Sequence, residues 1–361
     1  MKLGILTFHC AHNYGAILQC FGLQEYLKSL GHEVYVIDYR PHYLTRGYQK
    51  HSLRDWICSK PLLTLKKLLN EPFLYSTRSK RYDNFENFIN SKLNLYPYSI
   101  GMDFSDFDAI FLGSDQIWEA PITDGHFDDV FFGVGAKCKV ISYAASNKSK
   151  TLSSQEIEYY KSHLHSFSGI GVREINLQRL LSGIIAKPIV HTVDPTILAG
   201  ELLLKGIEDV RLVSEKYVLV YEIVEHQAVI DYAKKFAEKI GARLIILSAY
   251  IEYNERKNRD MTASPADFIN YIRHAECVFT SSFHGTALSI ICNTNFYSFK
   301  QHTSSDLRIS SLLEVAGLSD RFIEMSTLPV ISSVDYASAL KHISIATQLS
   351  KDFINHSLSN V

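Results

Sequence analysis

An apolar run over residues 3–8 leads into a helical repeat of Ile17, Leu18, Phe21, Leu23, Leu27 and Leu30. Gly31 closes that repeat, and a second apolar run follows over 34–38. A strand, a helix of crossover length and a second strand can pair only in parallel, so the opening of the chain commits it to a parallel sheet. Parallel strands are buried on both faces, which demands helices above and below. The alternation continues. Strand-type runs recur at 108–113, 140–144, 170–172 and 189–193, with a helix over 153–165. Asp194-Pro195 reads as a helix-stopping turn. Beyond it come a strand at 217–221, a helix at 226–240 and a strand at 243–247. Ser264 as N-cap with Pro265 behind it starts a helix that runs to His274. A strand at 277–280, a small-residue helix at 285–292, a strand at 296–299 and a helix at 306–315 follow. The expected fold is α/β, with two doubly wound Rossmann-like domains facing across a cleft. Residues 1–196 form the first and 197–330 the second, and an amphipathic helix within 331–361 crosses back to the first. A length of 361 residues suits two such cores.

Composition narrows the function classes. A net charge of −1 lacks the basic excess of a nucleic-acid binder, so no nucleic-acid partner is expected. The six cysteines contain no Cys-x-x-Cys pair or other ligand spacing, and no metal site is expected. They read as reduced thiols. His9, His12 and Asn13 interrupt the first apolar run too early for a secretory signal, and no run of about 18 apolar residues follows. The expected location is the cytoplasm. A helical, basic insertion at 46–95 carries Arg46, Lys50, Arg54, Lys60, Lys66, Lys67, Arg78, Lys80 and Arg81 among Trp56, Tyr75 and Tyr82, with Pro61 and Pro72 breaking it into pieces. It reads as a solvated face; the alternative is a surface for anionic lipid or a phosphorylated acceptor, at the inner side of a membrane.

Open parallel sheets bind ligands at the carboxyl ends of their strands, and four turns fall there. The turn at 9–15 lacks a Gly-x-Gly-x-x-Gly pattern, which argues against a dinucleotide; Asn13 serves there either as a helix cap or as a substrate contact. In the turn at 114–118, Asp115 and Gln116 suit hydroxyl binding, the alternative being an Asx-turn with Trp118 in the core. Arg173 is either a fork for a carboxylate or phosphate, or a partner of Glu174. At 281–286, Ser281, Ser282 and His284 sit where a strand turns into a helix. Free N–H groups and the positive end of the helix dipole make an anion site there, and a histidine adds charge or moves a proton. A hydrogen-bonded turn histidine is the plainer reading.

Taken together, Gly4-Ile-Leu-Thr-Phe, Asn13-Tyr-Gly-Ala-Ile-Leu-Gln, Phe111-Leu-Gly-Ser-Asp-Gln-Ile-Trp118, Gly171-Val-Arg-Glu174, Val193-Asp-Pro195 and Thr280-Ser-Ser-Phe-His-Gly-Thr-Ala287 resemble the polysaccharide pyruvyl transferase family. The order is that of the family, and the likeness runs from the first strand to about Arg321. It implies a fold like the GT-B glycosyltransferases. It also implies transfer of a pyruvyl group from phosphoenolpyruvate to two hydroxyls of a sugar in a cell-surface or exported polysaccharide precursor, giving a cyclic ketal and phosphate, with no cofactor. The acceptor would be a sugar or a lipid-linked oligosaccharide on the first domain, with the donor on the second. On this resemblance His284 and Asp115 are the catalytic candidates. Arg173, Ser281, Ser282, Gly285, Thr286 and Arg308 are the donor-binding candidates, and His12, Asn13, Tyr14 and Gln116 the acceptor-binding ones. The chain departs from the family at Ser282, where some members carry an arginine, so either the missing cation comes from elsewhere, with Arg308 and Lys300 as candidates, or the donor is bound differently. Two rivals share the architecture: a glycosyltransferase using a nucleotide sugar, and a non-catalytic member that binds glycans or partner enzymes.

Overall fold

The computed structural model describes residues 1–48, 65–224, 226–251, 258–303, 305–326 and 332–359, with side chains described from residue 75 onward in the second of these segments. Two wholly parallel sheets organise it. The first has the order β3-β2-β1-β4-β5-β6-β7, built from β1 (Lys2–Leu6), β2 (Glu33–Ile37), β3 (Leu95–Tyr96), β4 (Ala109–Leu112), β5 (Lys139–Ala145), β6 (Gly169–Val172) and β7 (Ile189–His191). The second has the order β10-β9-β8-β11-β12-β13, from β8 (Tyr217–Glu222), β9 (Arg243–Ser248), β10 (Arg259–Asp260), β11 (Cys277–Thr280), β12 (Phe296–Phe299) and β13 (Phe322–Ile323). This is the doubly wound, GT-B-like pair of Rossmann-like domains that the sequence leads one to expect.

The central strands are buried throughout; β4, β8 and β11 show no exposed residue. That is why each reads in sequence as an unbroken apolar run. Strand order reverses between β1 and β4 in one sheet and between β8 and β11 in the other. At such switch points the connections leave on opposite faces and open a crevice beyond the strand ends. The turns after β1, β4, β8 and β11 therefore border the two crevices.

One apolar cluster joins the domains, running from Leu3 and Phe111 in the first sheet to Leu219 and Val278 in the second. Tyr14 lies within it, stacked on Phe268 at 4.6 Å. The helix Leu65–Lys92 straps the junction from outside. Arg81 donates to the carbonyls of Ser248 (3.3 Å), Ala249 (2.8 Å) and Met261 (3.1 Å) and to Tyr14 Oη (3.1 Å), and Asn84 donates to Thr262 O (2.7 Å). Arg81 thus departs from the solvated basic face: it is 6% exposed, its charge spent on carbonyls left open at the ends of second-domain strands. Arg46 pairs with Asp124. Lys50, Arg54, Trp56, Lys60 and Pro61 lie outside the described residues. The same helix runs through Pro72 rather than breaking there. Its carboxyl half is held by Phe85, Phe88 and Ile89 in the core, an anchorage that offsets one lost backbone bond.

Asp194-Pro195 also behaves differently from the expected stop. Asp194 caps the short helix Pro195–Ala199, accepting the N–H of Thr196, with proline at its first position. Proline fixes φ and lacks an N–H, so it suits the first turn of a helix as well as it ends one. The final helix, Tyr336–Ser359, returns to the first sheet. Gly169 and Gly171 on β6 leave room for its Phe353 and Ser357, and Ser350 Oγ accepts the N–H of Val193 at 3.0 Å. Among the described residues no helix is long and apolar enough to cross a membrane.

Candidate active site

After β11 the chain turns into the helix Phe283–Ile291. Thr280 Oγ1 accepts the Ser282 N–H at 3.0 Å, and Ser282 Oγ accepts that of Gly285 at 3.3 Å. Ser282 is therefore a working N-cap, and helix geometry leaves the N–H groups of Phe283 and His284 without an intrahelical acceptor. Gly285 and Thr286 sit behind this turn. A Cβ on Gly285 would meet Thr280 Oγ1 at 2.4 Å, and Thr286 Oγ1 bonds to Ser282 O and to Ser298 Oγ. Both shape the turn without lining the cleft.

His284 is wedged between the domains. Its ring lies so close to the first turn of the helix Tyr14–Ser29 that a Cβ at Gly15 would fall 1.9 Å from Nδ1. On the other side Nε2 faces Asp194 Oδ2 at 3.6 Å, an ion-pair contact longer than a hydrogen bond, and this buried nitrogen has no hydrogen-bond partner. Asp194 is fully buried in a dense set of donors. Oδ2 receives Arg173 Nη1 (2.8 Å) and Ser114 Oγ (3.1 Å), while Oδ1 receives the N–H and hydroxyl of Thr196. Burial opposes ionisation, but His284, Arg173 and the Thr196 N–H outweigh it and hold the Asp194 carboxyl far below the usual carboxylate range.

Arg173 also reaches Ser146 Oγ (3.0 Å) and Glu174 Oε1 (3.3 Å), and its guanidinium lies over the Phe283 ring at 4.9 Å. Burial works against its charge, but Glu174 and Asp194 raise its pKa above the ordinary guanidinium value. This arginine is spent on protein partners beneath the site. Of the two sequence readings, its geometry is that of a partner to Glu174 and Asp194.

The cleft itself has a volume of about 750 Å³ and takes residues from both domains. Asn13, Asp115, Gln116, Ser281, Ser282, His284 and Arg308 all line it. Asn13 caps the helix Tyr14–Ser29, its Oδ1 accepting the N–H groups of Gly15 and Ala16. Asp115 has a left-handed backbone (φ 82°), uncommon for a residue with a side chain, and its Oδ1 accepts the Gln116 N–H at 2.9 Å. Arg308 comes from the helix Asp306–Ala316. Its Nη1 is 3.5 Å from Gln116 Oε1 and its buried Nε has no partner, while burial and the like charge of Arg173 lower its pKa. Lys300 pairs instead with Glu324 at 2.9 Å.

Two acceptor candidates lie elsewhere. Tyr14 is fully buried at the domain junction, its hydroxyl on Ala263 O. His12 is 4% exposed, paired with Glu86 at 3.0 Å and stacked on Phe85. Several neighbours escaped the sequence reading. Gln301 donates to Ser281 Oγ at 3.0 Å, Lys148 reaches the cleft while paired with Glu119 at 2.8 Å, and Asp194 stands behind His284. At the end of β8, buried Glu222 accepts the His226 N–H at 3.0 Å; burial raises its pKa in spite of His226 and neighbouring Ser281. Only Asp194 had a sequence signal, in Val193-Asp-Pro195. Among the described residues no group of three or more His, Cys, Asp or Glu side chains forms a metal site.

Two Rossmann-like domains with a polar cleft between their switch points define a GT-B-like protein. The UDP-N-acetylglucosamine 2-epimerase of Rickettsia bellii aligns over 100% of this chain and 96% of its own, at 11% identity and a TM-score of 0.51. The corresponding epimerase of Neisseria meningitidis, bound to UDP-GlcNAc, aligns over 100% of both chains at 10% identity and a TM-score of 0.49. At such identities the likeness concerns the fold. No curated protein sequence matches the chain. The profile of the polysaccharide pyruvyl transferases, however, matches residues 13–303, and the chain belongs to that family.

Proposed function

We propose that this transferase moves the pyruvyl group of phosphoenolpyruvate onto two hydroxyls of a sugar in a polysaccharide precursor, with release of phosphate. The observation that carries this reading is a pair of buried nitrogens without hydrogen-bond partners, Arg308 Nε and His284 Nε2, the latter in a 3.6 Å ion pair with Asp194, on side chains of one cleft beside a helix N-terminus. Buried donors without acceptors are costly, and a ligand bearing a phosphate and a carboxylate satisfies them.

In this mechanism Arg308 and the first N–H groups of the helix Phe283–Ile291 hold the donor's phosphate. His284 delivers a proton to the methylene carbon of the enol ether, and the adjacent carbon becomes electrophilic. Asp115 takes the proton from a sugar hydroxyl as its oxygen bonds to that carbon. The second hydroxyl then attacks the same carbon and gives its proton to His284, which lost its own in the first step; the bond to the phosphate oxygen breaks, and phosphate leaves with its electron pair. Arg173 acts from beneath by fixing Asp194, which in turn orients His284. Arg308 replaces the cation lost at Ser282.

The test is a calorimetric titration of the full chain with phosphoenolpyruvate and with a panel of nucleotide sugars. Saturable heat from phosphoenolpyruvate, weakened at least tenfold in Arg308→Gln, is expected. Silence to millimolar phosphoenolpyruvate together with binding of a nucleotide sugar would overturn the proposal.

A further inference from the structure

The cleft also has aromatic residues of different chemistry in its lining. Tyr43 and Tyr48 from the first domain and Tyr250 from the second line it, with Phe8, Ile223 and Val224 beside them. None of the three tyrosines lies in a motif, though Phe8 closes Gly4-Ile-Leu-Thr-Phe. Tyr48 packs on His12, the rings 5.2 Å apart and tilted by 33°, and His12 in turn stacks on Phe85 in the core at 5.1 Å. Glu86 pins His12 from the side at 3.0 Å, so the ring behind Tyr48 has a fixed orientation. Tyr43 is tied by its hydroxyl to Asp128, which also receives the hydroxyl of Tyr39. Tyr250 remains 50% exposed on the turn after β9.

We infer that Tyr48 and Tyr250 form an aromatic jaw for the pyranose ring of the acceptor. The inference rests on the pyruvyl-transfer reading in taking that acceptor to be a sugar. A pyranose has a face of C–H groups and a rim of hydroxyls. Its face packs on an aromatic ring, whose π-system is negative, while its rim needs donors and acceptors. The wall supplies the first requirement, and Asp115, Gln116 and Asn13 on the same cleft supply the second. A charged phosphate or carboxylate gains nothing from the tyrosines, so the donor is assigned to Arg308 and the sugar to the tyrosines. Aromatic surface contributed by both domains also ties acceptor binding to their closed arrangement. On this view His12 supports the acceptor site by holding Tyr48 and does not touch the sugar.

The test uses saturation-transfer NMR on the full chain with methyl β-D-glucopyranoside, methyl β-D-galactopyranoside and the methyl glycoside of N-acetylmannosamine. Calorimetry with phosphoenolpyruvate runs in parallel. Transfer from aromatic protons to the ring protons of at least one glycoside is expected, falling about three- to tenfold in Tyr250→Ala. Tyr48→Leu, which keeps most of the side-chain volume, gives a second variant with the same expectation, and phosphoenolpyruvate affinity stays unchanged in both. Sugar signals indifferent to both substitutions, or silence from every glycoside, overturn the jaw. Tyrosine-dependent sugar binding without any response to phosphoenolpyruvate upholds the jaw and sinks only the donor assignment.

Discussion

Replacing Gly15 by alanine perturbs the site through a single methyl group. The added carbon would lie 1.9 Å from Nδ1 of His284, 2.3 Å from Cγ and 2.5 Å from Cε1, whereas ordinary contact begins at 3.4 Å, so the ring must withdraw by about 1.5 Å. A misplacement of about 1 Å in a reacting group costs on the order of 10²-fold in rate. Stability responds differently. Alanine favours the helix Tyr14–Ser29 over glycine by about 0.5–1 kcal/mol, which offsets part of an overpacking cost of about 1–3 kcal/mol. The net loss is at most about 2.5 kcal/mol, or roughly 5–10 °C in Tm for domains of this size. Phosphate release from phosphoenolpyruvate with a competent acceptor, measured beside a thermal melt, should therefore fall about a hundredfold while the melt moves by a few degrees. Full activity in Gly15→Ala with an unchanged melt would refute both the placement of His284 and its role. A melt lowered by 15 °C or so would mean that the helix itself had been dislodged.

Three further outcomes follow from the buried charges. Asp194→Asn leaves Arg173 and His284 without their shared carboxylate and should cost about 3–5 kcal/mol in urea unfolding. Because the folded Asp194 carboxyl lies below its unfolded value of about 3.9, its contribution is complete above that pH and is lost as the pH falls, so the variant should show a flatter acid limb. Glu222 has the opposite sign: its folded pKa is raised by burial, so its favourable contribution holds below about 4.3 and is lost as the pH rises through the folded value. Glu222→Gln should become more stable relative to the parent as the pH rises above about 4.3, and a pH-independent difference would contradict this. Arg81→Met strands the carbonyls of Ser248, Ala249 and Met261 at the junction; it should cost about 3 kcal/mol or more and split a single unfolding transition into two.

The sheets were readable from the sequence because parallel strands buried on both faces leave unbroken apolar runs, and β1, β4, β8 and β11 all do. Their turns were readable as site elements for the same reason: a doubly wound order sends the carboxyl ends of the switch-point strands toward one crevice. Individual side chains within a turn were not. His12, Asn13 and Tyr14 are consecutive, yet one stacks behind Tyr48, one caps a helix and one packs on Phe268 of the other domain. Periodicity places the backbone of a turn but carries no information on which direction each residue faces when a second domain packs against it. Arg81 failed in the same way, since its partners are backbone carbonyls far along the chain. Tyr250 had no local pattern at all.

Asp194 and Arg308 show the deeper limit. Asp-Pro encodes a helix start as well as a stop, and only the buried donors around Asp194 separate a cap with a charge role from a plain turn. At Ser282 the sequence shows a cation missing from its expected place. Structurally the serine is needed as the cap of the helix that carries His284, and a guanidinium enters the same cleft from the helix Asp306–Ala316 instead. An arginine at 282 would give up that cap. The two positions are therefore coupled: Ser282→Arg alone should weaken the helix start by about 1 kcal/mol and bring a second cation close to Arg308. Combined with Arg308→Gln it should restore phosphoenolpyruvate affinity that Arg308→Gln alone loses. Failure of the double variant to recover binding, with the fold intact, would show that Arg308 does not stand in for a cation at position 282.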